Sequence, residues 1–133
     1  MPARPEPAPL VPSNPLEFAL AQARDGRLPI PDFLRLLLAS KLAVPSATEV
    51  KADGRGLQPL VFDKQGTAMV AVFSSPERAG VFADRAPYLL YGSAAGLLRA
   101  LAPDLGIVLN PTYELGFDIS PQGIAAVLRD VGK

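Results

Sequence analysis

The chain contains no cysteine and no histidine among its 133 residues. Without thiols there is no disulfide framework, no thiolate nucleophile and no thiolate metal site. Without imidazole the commonest general base and a common metal ligand are missing too, which leaves carboxylates, serine, tyrosine and lysine for any acid–base or nucleophilic work. An excess of either charge is also absent. Lysine plus arginine and aspartate plus glutamate number 13 each, so no overall pull toward nucleic acid or an anionic membrane is expected. No apolar run approaches the roughly 20 residues that a membrane-crossing helix needs.

What is present suits one folded domain, with 49% hydrophobic residues. The opening Met1 to Ser13, MPARPEPAPLVPS, is proline-rich and reads as an extended, disordered tail. It lacks the basic start, apolar stretch and cleavage site of a signal peptide, so a cytoplasmic location is the expectation. A proline-rich tail can dock into an aromatic groove, but a disordered terminus is the plainer reading. The domain itself is expected over residues 14–131.

Its organising stretch runs from Pro59 to Ala83. Leu60-Val61-Phe62 and Ala68 to Phe73 (AMVAVF) read as two strands of a hairpin. Asp63-Lys64-Gln65-Gly66 between them suits a type I turn, with Asp first and Gly last. AMVAVF does not alternate, which points to a strand covered on both faces. Ser74-Ser75-Pro76-Glu77 then supplies a capping hydroxyl, a first-turn proline and an acid, so a helix begins at Pro76 and turns Val81 and Phe82 inward.

Before this stretch, Asn14-Pro15-Leu16-Glu17 forms a near capping box for a helix to about Arg24, with Leu16, Ala19, Leu20 and Ala23 on one stripe and Asp25-Gly26 as its stop. A second, more apolar helix is expected over Pro31 to Ser40, and a short strand at Leu42-Ala43-Val44, closed by Pro45. Ser46 to Gly56 reads as a mobile loop. After the central stretch, Pro87 to Gly92 is ambiguous between strand and loop. A helix over Ala94 to Ala102 turns Leu97, Leu98 and Leu101 inward. Strands follow at Gly106 to Asn110 and Gly116 to Ile119, and the last helix opens at Ser120-Pro121. The fold class is α+β: one domain, with a mixed sheet built from the segments near Leu42, Leu60, Ala68, Ile107 and Phe117, and helices packed on it.

Candidate sites are few. Asp63, Glu114 and Asp118 lie in or near turns and would have to converge to hold a metal, whereas isolated turn acids are usually solvated, so no metal and no cofactor are expected. Lys64 reads as a surface residue of the hairpin. Gly54-Arg55-Gly56 lacks the lysine, strand and helix of a phosphate loop. Ser75 and Ser120 open helices whose backbone donors would hold a carboxylate or phosphate if the two met, although simple capping explains both. Tyr88, Tyr91 and Tyr113 are the aromatics expected outside the core. Tyr88 and Tyr91, with Leu89 and Leu90 between them, would make a partner-binding patch if exposed, but packing of both leucines with tyrosine tips at the rim is favoured.

The order of two N-terminal helices, Leu42-Ala43-Val44-Pro45, Pro59-Leu60-Val61-Phe62, Val72-Phe73-Ser74-Ser75-Pro76-Glu77-Arg78-Ala79 and the late Leu109-Asn110-Pro111 resembles the N-terminal domain of the SseB family, named for enhanced serine sensitivity in bacteria. The resemblance spans about Pro15 to Leu128. It implies an α+β bacterial cytoplasmic domain with no assigned chemistry and no catalytic residue to carry over. Longer members resemble this domain followed by another, for which this sequence has no room. Two functional readings follow. The preferred one is a non-catalytic interaction or regulatory domain that binds another bacterial protein around Tyr88, Tyr91, Asn110, Tyr113 and Glu114, with a homodimer as a further use of an open sheet edge. The alternative is a small-ligand sensor for an amino acid or anion at Ser75 and Ser120. An enzyme is not expected.

Overall fold

The computed structural model describes residues 9–51 and 55–131. Helix α1 spans Pro15–Arg24 and is capped by Asn14, whose side chain accepts from the Glu17 N–H. Gly26 ends it at φ +78°, a conformation that favours glycine. Helix α2, Ile30–Leu38, starts one residue ahead of expectation and buries Phe33, Leu37 and Leu38. Strand β1 is Lys41–Ser46, β2 Val61–Lys64 and β3 Thr67–Val72. Helix α3 is one short turn, Pro76–Ala79, continued by a 3-10 turn over Gly80–Phe82. Strand β4 is Tyr88–Ser93, helix α4 Ala94–Ala100, strand β5 Gly106–Leu109, strand β6 Phe117–Ile119 and helix α5 Pro121–Val131. No helix of the described residues is long and apolar enough to cross a membrane.

The architecture is α+β with a mixed four-stranded sheet, β2-β3-β5-β6, in which only β3 and β5 run parallel. The Leu42 segment departs from expectation. It pairs not with this sheet but with β4, as a separate antiparallel ribbon. One bridge, Ala43 to Phe73, fastens the ribbon to the end of β3. Long-range pairing of this kind leaves no local trace, and it also settles the ambiguous Pro87 to Gly92 segment as a strand.

Pro45 does not close β1, which continues to Ser46. Ala43 exchanges both backbone bonds with Phe73, at 2.9 and 2.8 Å. Backbone groups alternate sides along a strand, so the N–H that Pro45 lacks would point away from β4 and its loss breaks no rung there. The expected type I turn is a tighter one. Lys64 pairs with Thr67, leaving a two-residue loop whose Gln65 and Gly66 have φ of 53° and 88°, the signs of a type I′ hairpin. Asp63 therefore belongs to the ladder, opposite Ala68. The expected mobile loop after Ser46 is tied down where it is described: Ala47 N–H donates to Gln58 O, Lys51 N–H to Arg55 O, and the buried Ser46 hydroxyl accepts from Gln58 N–H.

β3 is buried on both faces, as its unbroken apolar run requires. Val70 and Val72 face the main core, where Ile107, Leu109 and Ile119 meet Leu16, Leu20, Phe33, Leu37, Leu98, Ile124 and Val127 from α1, α2, α4 and α5. Met69, Ala71 and Phe73 face a smaller cluster with Ala43, Val108, Ala79 and Phe82, covered only by α3 and its 3-10 extension. Val81, expected inward, is half exposed, because a 3-10 turn rotates it off the face that Phe82 takes. Four helices thus cover one side of the sheet and a single short turn covers part of the other.

The ordered domain reaches back past the expected boundary at residue 13. Leu10 is buried in the main core, and the Val11 carbonyl and the Ser13 N–H are both hydrogen-bonded. Residues 1–8 lie outside those described.

Candidate functional site

The thinly covered side of the sheet holds a cleft of about 740 Å³. Cross-strand pairing dictates its floor. Opposed residues share a face, so Phe62 stands beside Met69, and Asp118 beside Val108 and Ala71, all turned away from the helix layer. Phe82 and Tyr113 close one side. The rim carries Arg24, Lys64 and Arg85 together with Glu114 and Asp118, while Asp63 borders it by its backbone and, opposite Ala68, turns its side chain to the other face. Lys64 Nζ reaches Asp118 Oδ2 at 2.6 Å, joining the two edge strands β2 and β6 across the face of β3 and β5. The Arg85 guanidinium stands 5.6 Å over the Phe82 ring, and Arg24 donates to the Glu114 carbonyl.

Of the three turn acids Glu114 and Asp118 line this cleft while Asp63, opposite Ala68, turns to the other face, and no group of three acids among the described residues is arranged to hold a metal ion. The partner residues proposed from sequence divide. Glu114 is exposed on the rim, and Tyr113 is half-buried, with its hydroxyl donating to the Arg78 carbonyl at 3.1 Å and its ring edge-on to Phe73. Asn110 borders the cleft but is fully buried and offers nothing to a partner. Tyr88 and Tyr91 are about half exposed on β4. Tyr91 is opposite Ala43, itself bridged to Phe73, so it shares the helix-poor side of the molecule with the cleft, and α3, packed on β1, lies between. The two leucines split by strand alternation. Leu90 packs on the main core, while Leu89 is exposed rather than packed.

Ser75 and Ser120 do not meet. Each accepts from the N–H three residues on, Arg78 and Gly123, and so caps its own helix. Strand register sets them apart, since Ser75 follows the end of β3 near Leu109, whereas Ser120 follows Ile119, opposite Ile107 toward the start of β5.

Beside the cleft, behind Tyr113, lies a buried polar network that local sequence reading does not reach. Glu17 is fully buried. Its carboxylate accepts from Arg78 Nε and Nη2, both at 3.1 Å, from Ser13 N–H at 2.9 Å and Ser13 Oγ at 3.1 Å, and from the Ser74 hydroxyl. Burial by itself raises a carboxyl pKa; here the donors from Arg78, Ser74 and Ser13 outweigh it and hold Glu17 at about 2. The same pairing raises Arg78, against its own partial burial. Ser74 has one hydroxyl proton, which goes to Glu17. Its oxygen accepts in turn from Asn110 Nδ2 at 3.1 Å, while Asn110 Oδ1 accepts the Ser74 N–H at 3.0 Å. Asn110 holds φ +54°, a conformation that asparagine tolerates, and this aims its amide at Ser74. The Ser-Ser-Pro-Glu-Arg and Leu-Asn-Pro phrases are therefore two halves of one device, a polar clasp between α1, the β3–α3 junction and the β5–β6 loop.

Fold and site together define an α+β domain with one sheet face left largely open beside a buried ionic clasp. The chain belongs to the SseB family: residues 16–126 match the SseB protein N-terminal domain, from the first turn of α1 into α5. No curated protein and no solved structure matches it.

Proposed function

We propose that this chain is a non-catalytic protein-interaction or regulatory domain, and that the cleft on the helix-poor face of the sheet is its docking surface. The observation that carries this reading is the composition of that cleft. Phe62, Phe82 and Tyr113 supply an apolar floor, ringed by Arg24, Lys64 and Arg85 and by Glu114 and Asp118. Because Lys64 and Asp118 largely neutralise each other, Arg24 and Arg85 stand against Glu114. The fitting occupant is a segment of another protein that presents an apolar anchor flanked by charges of both signs. Aromatic centres with a charged rim concentrate binding energy in just this way.

The test begins with the tagged full chain, used to recover a stoichiometric partner from bacterial extract. That partner is then purified and its affinity measured directly. Arg85→Glu combined with Glu114→Arg inverts two rim charges and is expected to weaken binding at least about tenfold, as loss of complementary contacts does. Arg99→Glu, on α4 in the helix layer, should leave affinity unchanged. Failure to recover any partner, or an affinity indifferent to the rim inversion, overturns the reading.

A further inference from the structure

The edge of β4 makes a second, separate surface. The Ala43–Phe73 bridge fixes which backbone groups point where. Ala43 gives its N–H and C=O to Phe73, so Leu42 and Val44 turn theirs toward Gly92 and Leu90 of β4. On β4 it is then Leu89 and Tyr91 whose N–H and C=O face outward, and no strand among the described residues lies against them. Their side chains are 39% and 48% exposed, on the same face as each other. The usual protections of an open edge are missing, since Tyr88–Ser93 contains no proline, no lysine and no other charge.

From this pattern we infer that the occupant of the β4 edge is a second copy of this chain, paired antiparallel about a two-fold axis at Leu90. The axes that centre the contact on Leu89 and Tyr91 lie at Leu89, Leu90 and Tyr91. An axis at Leu89 sets Tyr91 against Pro87, which has no N–H, and loses two backbone bonds. An axis at Tyr91 brings the two Tyr91 rings together, and with them the two Lys41 ammonium groups, each of which stands 5.7 Å over its own Tyr91 ring. The axis at Leu90 keeps the two Tyr91 rings from facing each other and moves Pro87 to the strand's end, opposite Ser93, where Leu89 and Tyr91 lose no bond. It sets Leu89 of each copy opposite Tyr91 of the other, giving four backbone hydrogen bonds and two Leu–Tyr side-chain pairs on one face, the self-complementary contact that a two-fold dimer requires. A strand of six residues buries less than the roughly 1,200 Å² of a stable interface, so the dimer is a concentration-dependent one.

The absence of native cysteine makes the register directly testable. Opposed Cα atoms at the Leu89–Tyr91 positions are about 5.5 Å apart, within disulfide range, whereas each residue lies beyond about 7 Å from its own symmetry mate. Leu89→Cys and Tyr91→Cys proteins, each alone under mild oxidation, should stay largely uncross-linked, and their mixture should give a disulfide dimer. The wild-type mass in sedimentation equilibrium should rise from 14.0 kDa toward twice that with concentration, while Leu89→Lys should hold the monomer mass with an unchanged circular dichroism spectrum. A strictly monomeric wild type, or a cysteine variant that cross-links efficiently with itself and not in the mixture, overturns the inference. Because the cleft lies on the other side of α3, the rim inversion leaves this result untouched, and the two readings fail separately.

Discussion

Arg78 grips Glu17 through two parallel hydrogen bonds of 3.1 Å, although 61 residues separate them. The same guanidinium donates to the Val11 carbonyl, so one side chain fastens the segment before α1, α1 itself and the β3–α3 junction. Arg78→Met would leave a carboxylate buried with only serine donors and is expected to cost about 3 kcal/mol or more. Glu17→Gln, which keeps shape and removes the charge as protonation does, should cost a comparable amount, roughly 3 kcal/mol. Urea unfolding of both variants and of their combination measures the coupling. A penalty for Arg78→Met below about 1 kcal/mol would mean that water replaces the guanidinium, contrary to the burial described.

The Glu17 pKa sets the acid limb of stability. The folded value, about 2, lies below the ordinary 4.5, so the unfolded chain binds the proton first as pH falls. The stabilisation is complete above pH 4.5 and is lost progressively toward pH 2. Its full extent is roughly 3 kcal/mol, from a difference of about 2.5 pKa units. Unfolding free energy measured at fixed urea increments from pH 6 to pH 2 should show this slope. In Glu17→Gln the slope should flatten over the same window, and an unaltered acid limb would assign it to other carboxylates.

Much of this was legible in the sequence, and the boundary between what was and what was not is physical. The Asn14 cap, the central hairpin, the double-sided burial of β3 and the capping serines are local signals, set by residues within a turn of one another. Glu17 was legible only as the acid of a near capping box. Its oxygen does accept the N–H of Ser13, one residue before the cap, but its main partner is brought to it by the sheet. The β1–β4 ribbon was missed for the same reason, since nothing near Leu42 distinguishes a strand joining the main sheet from one pairing with Tyr88–Ser93. The cleft was half visible: Glu114 and Asp118 belong to its wall, but only the face each strand residue takes turns Asp63, opposite Ala68, away from it.

Two glycines should respond to alanine in opposite directions. A Cβ on Gly106 would lie 2.5 Å from both the Ile119 carbonyl oxygen and the Met69 sulfur. Backbone cannot yield there without disturbing β6, so Gly106→Ala is expected to destabilise by about 1–3 kcal/mol through overpacking. Gly80, by contrast, has ordinary helical φ and ψ of −58° and −19° and open space around it. Gly80→Ala should stabilise by about 0.4–1 kcal/mol by restricting the unfolded chain. Thermal melts of the pair check both signs at once.

The hairpin offers the sharpest local test, because its geometry and its sequence disagree at one residue. Gln65 sits at φ +53° in the first position of the two-residue loop, where asparagine before glycine is the preferred solution. A left-handed conformation costs an ordinary residue about 1–2 kcal/mol, and asparagine recovers part of that through its short polar side chain. Gln65 is exposed, so replacing it disturbs no core contact. Gln65→Asn should therefore stabilise the domain by about 0.5–1 kcal/mol. Gln65→Val, β-branched and ill-suited to positive φ, should destabilise it by a comparable or larger amount. If both variants unfold at the wild-type urea midpoint, the loop is not a type I′ turn in solution, and Asp63 returns to the turn rather than the ladder.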